Sequence, residues 1–153
     1  MKIELGQAGD YAVRSVLALA RNGGRLKARE IAAEMSLPRK YLPQVLALLI
    51  RAGLVHSVAG PGGGYELAKD SSEITLLAVI EATEGPVMSR KCVLRGGPCR
   101  LDGTCAVHDA WADAQAALAA KLARTTFADL RRVALRKSRV RPRAAGSLAA
   151  AEA

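Results

Sequence analysis

Aromatic side chains are scarce in this chain. One Trp, one Phe and three Tyr make up 3% of the 153 residues, so Leu, Val, Ile and Ala must build any core, and a 50% apolar composition supplies them. Long apolar runs are also missing. No uncharged stretch approaches the ~18–20 residues that cross a bilayer, so no membrane association is expected. The stretch Tyr11–Ala20 is interrupted by Arg14 and preceded by Glu4 and Asp10, which does not read as a signal peptide. Cysteine is limited to three residues, an odd number that argues against a disulfide framework and for reduced thiols or metal ligation in the cytoplasm. Neither a Ser/His/Asp arrangement, nor paired catalytic carboxylates, nor a dinucleotide fingerprint is present, and no enzymatic activity is expected.

What is abundant is positive charge, with 23 Lys and Arg against 14 Asp and Glu and a net charge of +9. Its distribution is uneven. Seven basic residues (Arg131, Arg132, Arg136, Lys137, Arg139, Arg141 and Arg143) face the single acid Glu152 in residues 131–153, a surplus of +6 that leaves only +3 for residues 1–130. Basic surplus favours polyanions, nucleic acid first, yet most of it sits in a segment without an apolar stripe.

Val13, Val16, Leu17 and Ala20 fall on one face of a helix over residues 10–21, ended by Asn22-Gly23-Gly24. A short helix follows over Lys27–Met35, with Ile31 and Met35 on one face, and Ser36-Leu37-Pro38 breaks it. A third helix carries Leu42, Val45, Leu46 and Leu49 inward and ends at Gly53. Pro43 is tolerated only in a first turn, which places the N-cap near Lys40. Two short helices about a tight turn form a helix-turn-helix pattern. The runs Leu54–Val58 and Tyr65–Leu67 flank Ala59-Gly60-Pro61-Gly62-Gly63-Gly64, which predicts a β-hairpin, the wing of a winged helix. A phosphate-cradling loop would need a helix directly after it and a Lys-Ser/Thr pair, and neither is there.

Ile74–Ile80 opens a fourth helix capped by Thr75 and closed by Gly85-Pro86, which completes a DNA-binding region over residues 1–86. Residues 87–105 lack periodicity and hold all the cysteines. From Ala106 to Leu122 a long helix carries the stripe Val107, Trp111, Ala114, Leu118 and Leu122, which needs a partner. Thr125 or Thr126 caps a short last helix ending near Arg132, and residues 133–153 read as a basic disordered tail that adds salt-sensitive, nonspecific affinity.

Two constellations carry chemistry. The first lies at the start of the third helix, where Arg39, Lys40, Tyr41 and Gln44 would meet base edges and phosphates of double-stranded DNA in the major groove. Arg and Gln suit bidentate contacts to guanine and adenine; Lys and Tyr suit phosphate. Arg25, Lys27 and Arg29 are candidate backbone contacts, and Ser57, Gly60, Gly62 and Gly63 are the wing's candidates. The second constellation is Cys92, Cys99, Cys105 and His108, spaced C-x6-C-x5-C-x2-H. Thiolates select zinc, copper(I) or iron–sulfur clusters. Structural zinc usually takes close cysteine pairs, which this loop lacks, whereas widely spaced single cysteines suit a larger object. Three unrelated thiols and a surface His are the bland alternative.

Arg14, Glu30-Ile31-Ala32, Tyr41-Leu42, Gly53-Leu54-Val55, Ser57-Val58, Gly60 to Tyr65, Leu67, Glu73-Ile74-Thr75 and the three cysteines together resemble the IscR/NsrR-type (Rrf-type) regulators over about residues 1–130. The resemblance implies a homodimeric winged-helix repressor in which a [2Fe-2S] or [4Fe-4S] cluster controls operator affinity. It implies that the helix from Ala106 is the dimerisation helix, so that 106–132 forms the dimer region. It also offers two fourth ligands, His108 after the third cysteine and Asp10 acting on the other subunit. Three departures stand out: six residues rather than five separate the first two cysteines, Ala59 stands where many members carry Arg, and Lys40 and Pro43 replace a frequent Ser and Glu. Loss of that Glu prevents transfer of operator preference. Three rivals share the sequence features: a regulator of this shape that senses through thiols or a partner, a metal-binding or electron-transfer module without operator binding, and a simple zinc protein.

Overall fold

The computed structural model of the protein describes residues 3–89, 91–98 and 105–140, the side chains of 139 and 140 excepted. The elements run α1 (Gln7–Asn22), α2 (Ala28–Met35), α3 (Leu42–Arg51), β1 (Val55–Val58), β2 (Gly64–Leu67), α4 (Leu76–Glu84), α5 (His108–Arg124) and α6 (Phe127–Val140). This is the expected winged helix-turn-helix with a long helix appended.

α1 is the spine. Tyr11, Ala12, Ser15, Val16, Ala18, Leu19 and Ala20 are all buried, because α2, α3, α4 and α6 pack around it. Ser15 is fully enclosed and is satisfied by donating its hydroxyl proton to the Tyr11 carbonyl at 2.7 Å. The helix starts at Gln7, earlier than the apolar pattern predicts, because its first turn contains glycine and carries no apolar marker on that face.

The helix-turn-helix turn passes through Ser36 at φ 53°, the one non-glycine residue with positive φ among the described residues. α3 then seats Leu42, Val45, Leu46 and Leu49 in the core. The wing pairs antiparallel, with Val55 opposite Leu67 and Ser57 opposite Tyr65. Its turn depends on glycine. A Cβ on Gly63 would lie 2.3 Å from the Val58 carbonyl oxygen, and one on Gly64 would lie 2.6 Å from that of Leu26. That second approach lets Leu26 and Tyr65 exchange backbone hydrogen bonds of 3.0 and 2.7 Å, which binds the segment before α2 to the wing.

α4 is capped as predicted, with the Thr75 hydroxyl accepting from Ala78 N–H at 3.1 Å. α6 departs from expectation. Residues 133–140 are not tail but continue the helix to Val140, because Phe127, Leu130, Val133 and Ala134 share an inward face and Arg, Lys, Leu and Ala are good helix formers. The remainder of the proposed tail, 141–153, lies outside the described residues. Thr126 opens α6: its N–H and hydroxyl both donate to Asp129, whose own N–H returns to the hydroxyl. Phe127 is wholly buried, held where its N–H donates to Ile74 O at 2.9 Å and Leu76 N–H donates to Thr125 O at 2.8 Å.

Phe127→Ala is expected to cost ~3–5 kcal/mol of stability by urea denaturation, since it empties a closed core site. The Thr126 donors, joined by Arg132, hold the Asp129 carboxyl below the usual carboxylate range. Its contribution is therefore complete at neutral pH and lost as pH falls through the depressed value. Asp129→Asn should be less stable than the parent at pH ~7 and converge with it in strong acid, checked by thermal unfolding across pH.

Candidate nucleic-acid interface and cysteine pocket

The exposed start of α3 is built by the chain's local preferences. Leu37 and Leu42 are buried on either side of Pro38, Arg39, Lys40 and Tyr41, so the intervening polar side chains are turned to solvent. Tyr41, rather than Lys40, is the N-cap, with Pro43 in the first turn. Gln44 follows on the exposed side of the same turn. The Lys40 ammonium lies 5.7 Å from the centre of the Tyr41 ring, a cation–π approach that holds the two together. Arg39, Lys40, Tyr41 and Gln44 thus form one exposed cluster at the helix start.

α2 begins beside the wing. Glu30 Oε2 accepts from Lys27 N–H at 2.6 Å and closes the first turn, while Arg29 is exposed. Lys27, Ser57, Gly60, Gly63 and Tyr65 line one open groove between α2 and the hairpin. Arg25 is placed differently from the sequence expectation of a simple backbone contact. Its Nε and Nη2 donate to Glu66 Oε2 at 3.3 and 3.1 Å, and its Nη1 donates to the Gly62 carbonyl at 3.0 Å. It therefore braces the wing from the side of α2. Ser57, Gly60 and Gly62 are exposed, but Gly63 is buried and donates its N–H to Gly60 O. Gly63 shapes the turn. Glu66, the wing's anchor for Arg25, was missed because its partner lies 41 residues away and no local pattern announces it.

The second constellation gathers at the start of α5. Cys92, Cys105, His108 and Trp111 line one pocket of ≈ 60 Å³, walled by Val93, Leu94 and other loop residues. Cys92 is fixed at the neck of a tight loop: its N–H donates to Gly97 O at 2.8 Å, and its carbonyl accepts from Gly96 N–H at 2.9 Å. His108 N–H donates to Cys105 O at 3.1 Å, so the third cysteine leads straight into the helix. Cys99 lies outside the described residues. Among the described residues, no three His, Cys, Asp or Glu side chains are close enough together to hold a metal ion. Asp10 is engaged elsewhere: Arg14 Nε and Nη2 donate to its two carboxylate oxygens, each at 2.8 Å. Arg14 also donates to the Met35 carbonyl at 3.2 Å, at the end of α2.

The family described as "Rrf2: Iron-dependent Transcriptional regulator" matches residues 5–132. The chain belongs to the Rrf2 family. This Rrf2 protein is 35% identical over 130 residues to the HTH-type transcriptional regulator IscR of Klebsiella pneumoniae, covering 84% of this chain and 79% of that relative. Its fold is similar to CymR (YrzC), the global cysteine regulator of B. subtilis, with a TM-score of 0.74 and 28% identity over 86% of this chain and 98% of the other. It is also similar to the IscR of T. potens, with a TM-score of 0.69 and 27% identity over 88% and 90% of the two chains. Membership of this family of transcriptional regulators makes the Rrf2 protein a DNA-binding regulator and not an enzyme. No helix among the described residues is long and apolar enough to cross a membrane.

The bracing role of Arg25 separates two outcomes. Loss of a phosphate contact lowers the salt slope of DNA binding by ~1, whereas loss of a wing brace weakens binding at an unchanged slope. Arg25→Ala is expected to weaken binding with its slope intact, and Arg39→Ala to weaken it with a shallower slope, both measured by fluorescence anisotropy over a salt series.

Proposed function

We propose that the protein is a cytoplasmic homodimeric repressor that senses redox state, nitric oxide or iron supply through an iron–sulfur cluster held by the cysteine loop. The observation that carries this reading is the pocket shared by Cys92, Cys105 and His108 at the start of α5. Two thiols and an imidazole against an apolar wall suit a soft metal centre in donor chemistry. Cys99, spaced between the two other cysteines, is the third thiolate donor. For the fourth position, His108 is supported by its place in the pocket. Asp10 of the partner subunit would first have to exchange its bidentate Arg14 for the metal. When bound, the cluster supplies a centre that oxidants and nitric oxide attack and that iron shortage leaves unassembled.

The chain's own residues transmit the change. α5 has no buried residue along its length, and Val107 and Leu118 are exposed large apolar groups. A second copy covering this face would join the sensing loops to the dimer interface. Repacking of the 87–105 loop then shifts α5, and with it the spacing of two α3 helices along a two-fold operator. The linkage requirement is that loaded and empty loops differ in the contacts they make to the two arrangements.

Anaerobic purification followed by absorbance, iron and sulfide measurement tests the sensor. A brown protein with acid-labile sulfide is expected, and Cys92→Ser or Cys105→Ser should remove the colour while the circular dichroism spectrum persists. His108→Ala and Asp10→Ala then identify the fourth donor by which of them destabilises the chromophore. A colourless protein after reconstitution with iron and sulfide would overturn the cluster and leave thiol sensing as the working function. Leu118→Glu is expected to halve the solution mass by light scattering.

A further inference from the structure

α1 opens on Gly6, which offers no side chain to cap the first-turn N–H groups. The missing cap comes from the end of α4. Glu84 Oε1 accepts from Gly9 N–H at 2.7 Å, across 75 residues of sequence. The two glycines make the room: a methyl at Gly9 would stand 2.7 Å from Oε1, and one at Gly6 would stand 2.9 Å from both carboxylate oxygens. A carboxylate at this end of a helix is also favoured by the aligned peptide dipoles.

Glu84 is the last residue of α4, and the chain turns at once toward the cysteines. Gly85 follows at φ 82°, ψ −176°, conformations open to glycine, with its N–H on Glu81 O at 3.2 Å. Glu81 Oε1 in turn accepts from Val87 N–H at 3.0 Å and clips the first residue of the loop. On its other side, α1 packs directly against α2 and α3, and its Arg14 holds the end of α2 through Met35 O. One carboxylate therefore joins the root of the cysteine loop to the helix on which both DNA-reading helices rest.

We propose that Glu84 is the positioning residue through which the state of the cysteine loop reaches the DNA-reading helices. This rests on the sensing role assigned above to that loop. Movement of residues 87–105 pulls first on the end of α4, and the Glu84–Gly9 hydrogen bond carries that pull to the first turn of α1. Without the bond, α1 keeps its core packing, and the loop loses its direct hold on it.

The test measures the affinity of full-length protein for a duplex that footprinting shows it protects upstream of its own gene. Affinity is compared for metal-free protein and for protein reconstituted with iron and sulfide. A second pair of states, thiol-alkylated and unmodified metal-free protein, is measured alongside. Glu84→Ala is expected to shrink the affinity ratio between states by ~5-fold or more, the lower range of typical coupling. A merely structural role would weaken both states equally and leave the ratio intact. Glu84→Gln, which keeps an acceptor oxygen, should retain more of the ratio. Gly9→Ala should mimic Glu84→Ala by displacing the carboxylate, and the double variant should be no worse than either.

Thermal unfolding adds a sign change: Gly9→Ala destabilises the parent and stabilises the Glu84→Ala background, where the three side-chain atoms nearest the added methyl are gone. An unchanged ratio in Glu84→Ala, or independent effects of the two substitutions, overturns the proposal. Absence of a chromophore in the parent defeats the cluster reading alone, because the alkylation pair still tests the link. Equal affinities in both pairs of states for the parent overturn the link itself.

Discussion

Burial of α1 from several directions at once is the constraint on which the rest of the protein depends. Its small and aliphatic residues, Ala12, Ala18 and Ala20 beside Val16 and Leu19, let α2, α3, α4 and α6 approach closely. A helix enclosed on so many sides cannot tilt without disturbing each neighbour, because packed interiors move between discrete arrangements rather than deforming smoothly. The DNA-reading helices and the root of the cysteine loop thus share a single rigid reference.

Outside that reference lie surfaces open to solvent. The start of α3 shows polar and charged side chains to solvent, and the wing, whose Val55 joins the core, is braced further by Arg25 from the side of α2. α5 has no fully buried residue, although it packs against α4 and its apolar stripe runs along most of its length. The first suits the polyanion that this family of regulators binds, and the second leaves Leu118 exposed.

Much of the fold was legible in the sequence because the deciding signals were local. The period of Leu42, Val45, Leu46 and Leu49, the Pro43 that marks a first turn, the Thr75 cap and the glycines of the wing each constrain only a few neighbouring residues. The misjudged boundaries were those where local signals conflict with tertiary ones. α1 begins earlier than its apolar marks because Glu84, remote in sequence, caps a first turn that contains glycine. α6 runs past Arg132 because its inward face is anchored by Phe127, while its outward arginines resemble a solvated tail. At the site, the exposed cluster of Arg39, Lys40, Tyr41 and Gln44 followed from helix geometry. The bracing of Arg25 by Glu66 needed three dimensions, since 41 residues separate the two, whereas Asp10 and Arg14 stand four residues apart on one helix and their pairing was open to sequence reading.

The seat of Phe127 has a consequence for how the molecule is made. Chains emerge from the ribosome N-terminus first, and earlier segments usually fold while later ones are still being synthesised. Here the core of the winged helix is closed by a residue that comes after the wing, the cysteine loop and the whole of α5. A nascent chain therefore carries an open apolar site until synthesis is well advanced, and completes the core of its winged helix only once the cysteine loop and α5 have been made.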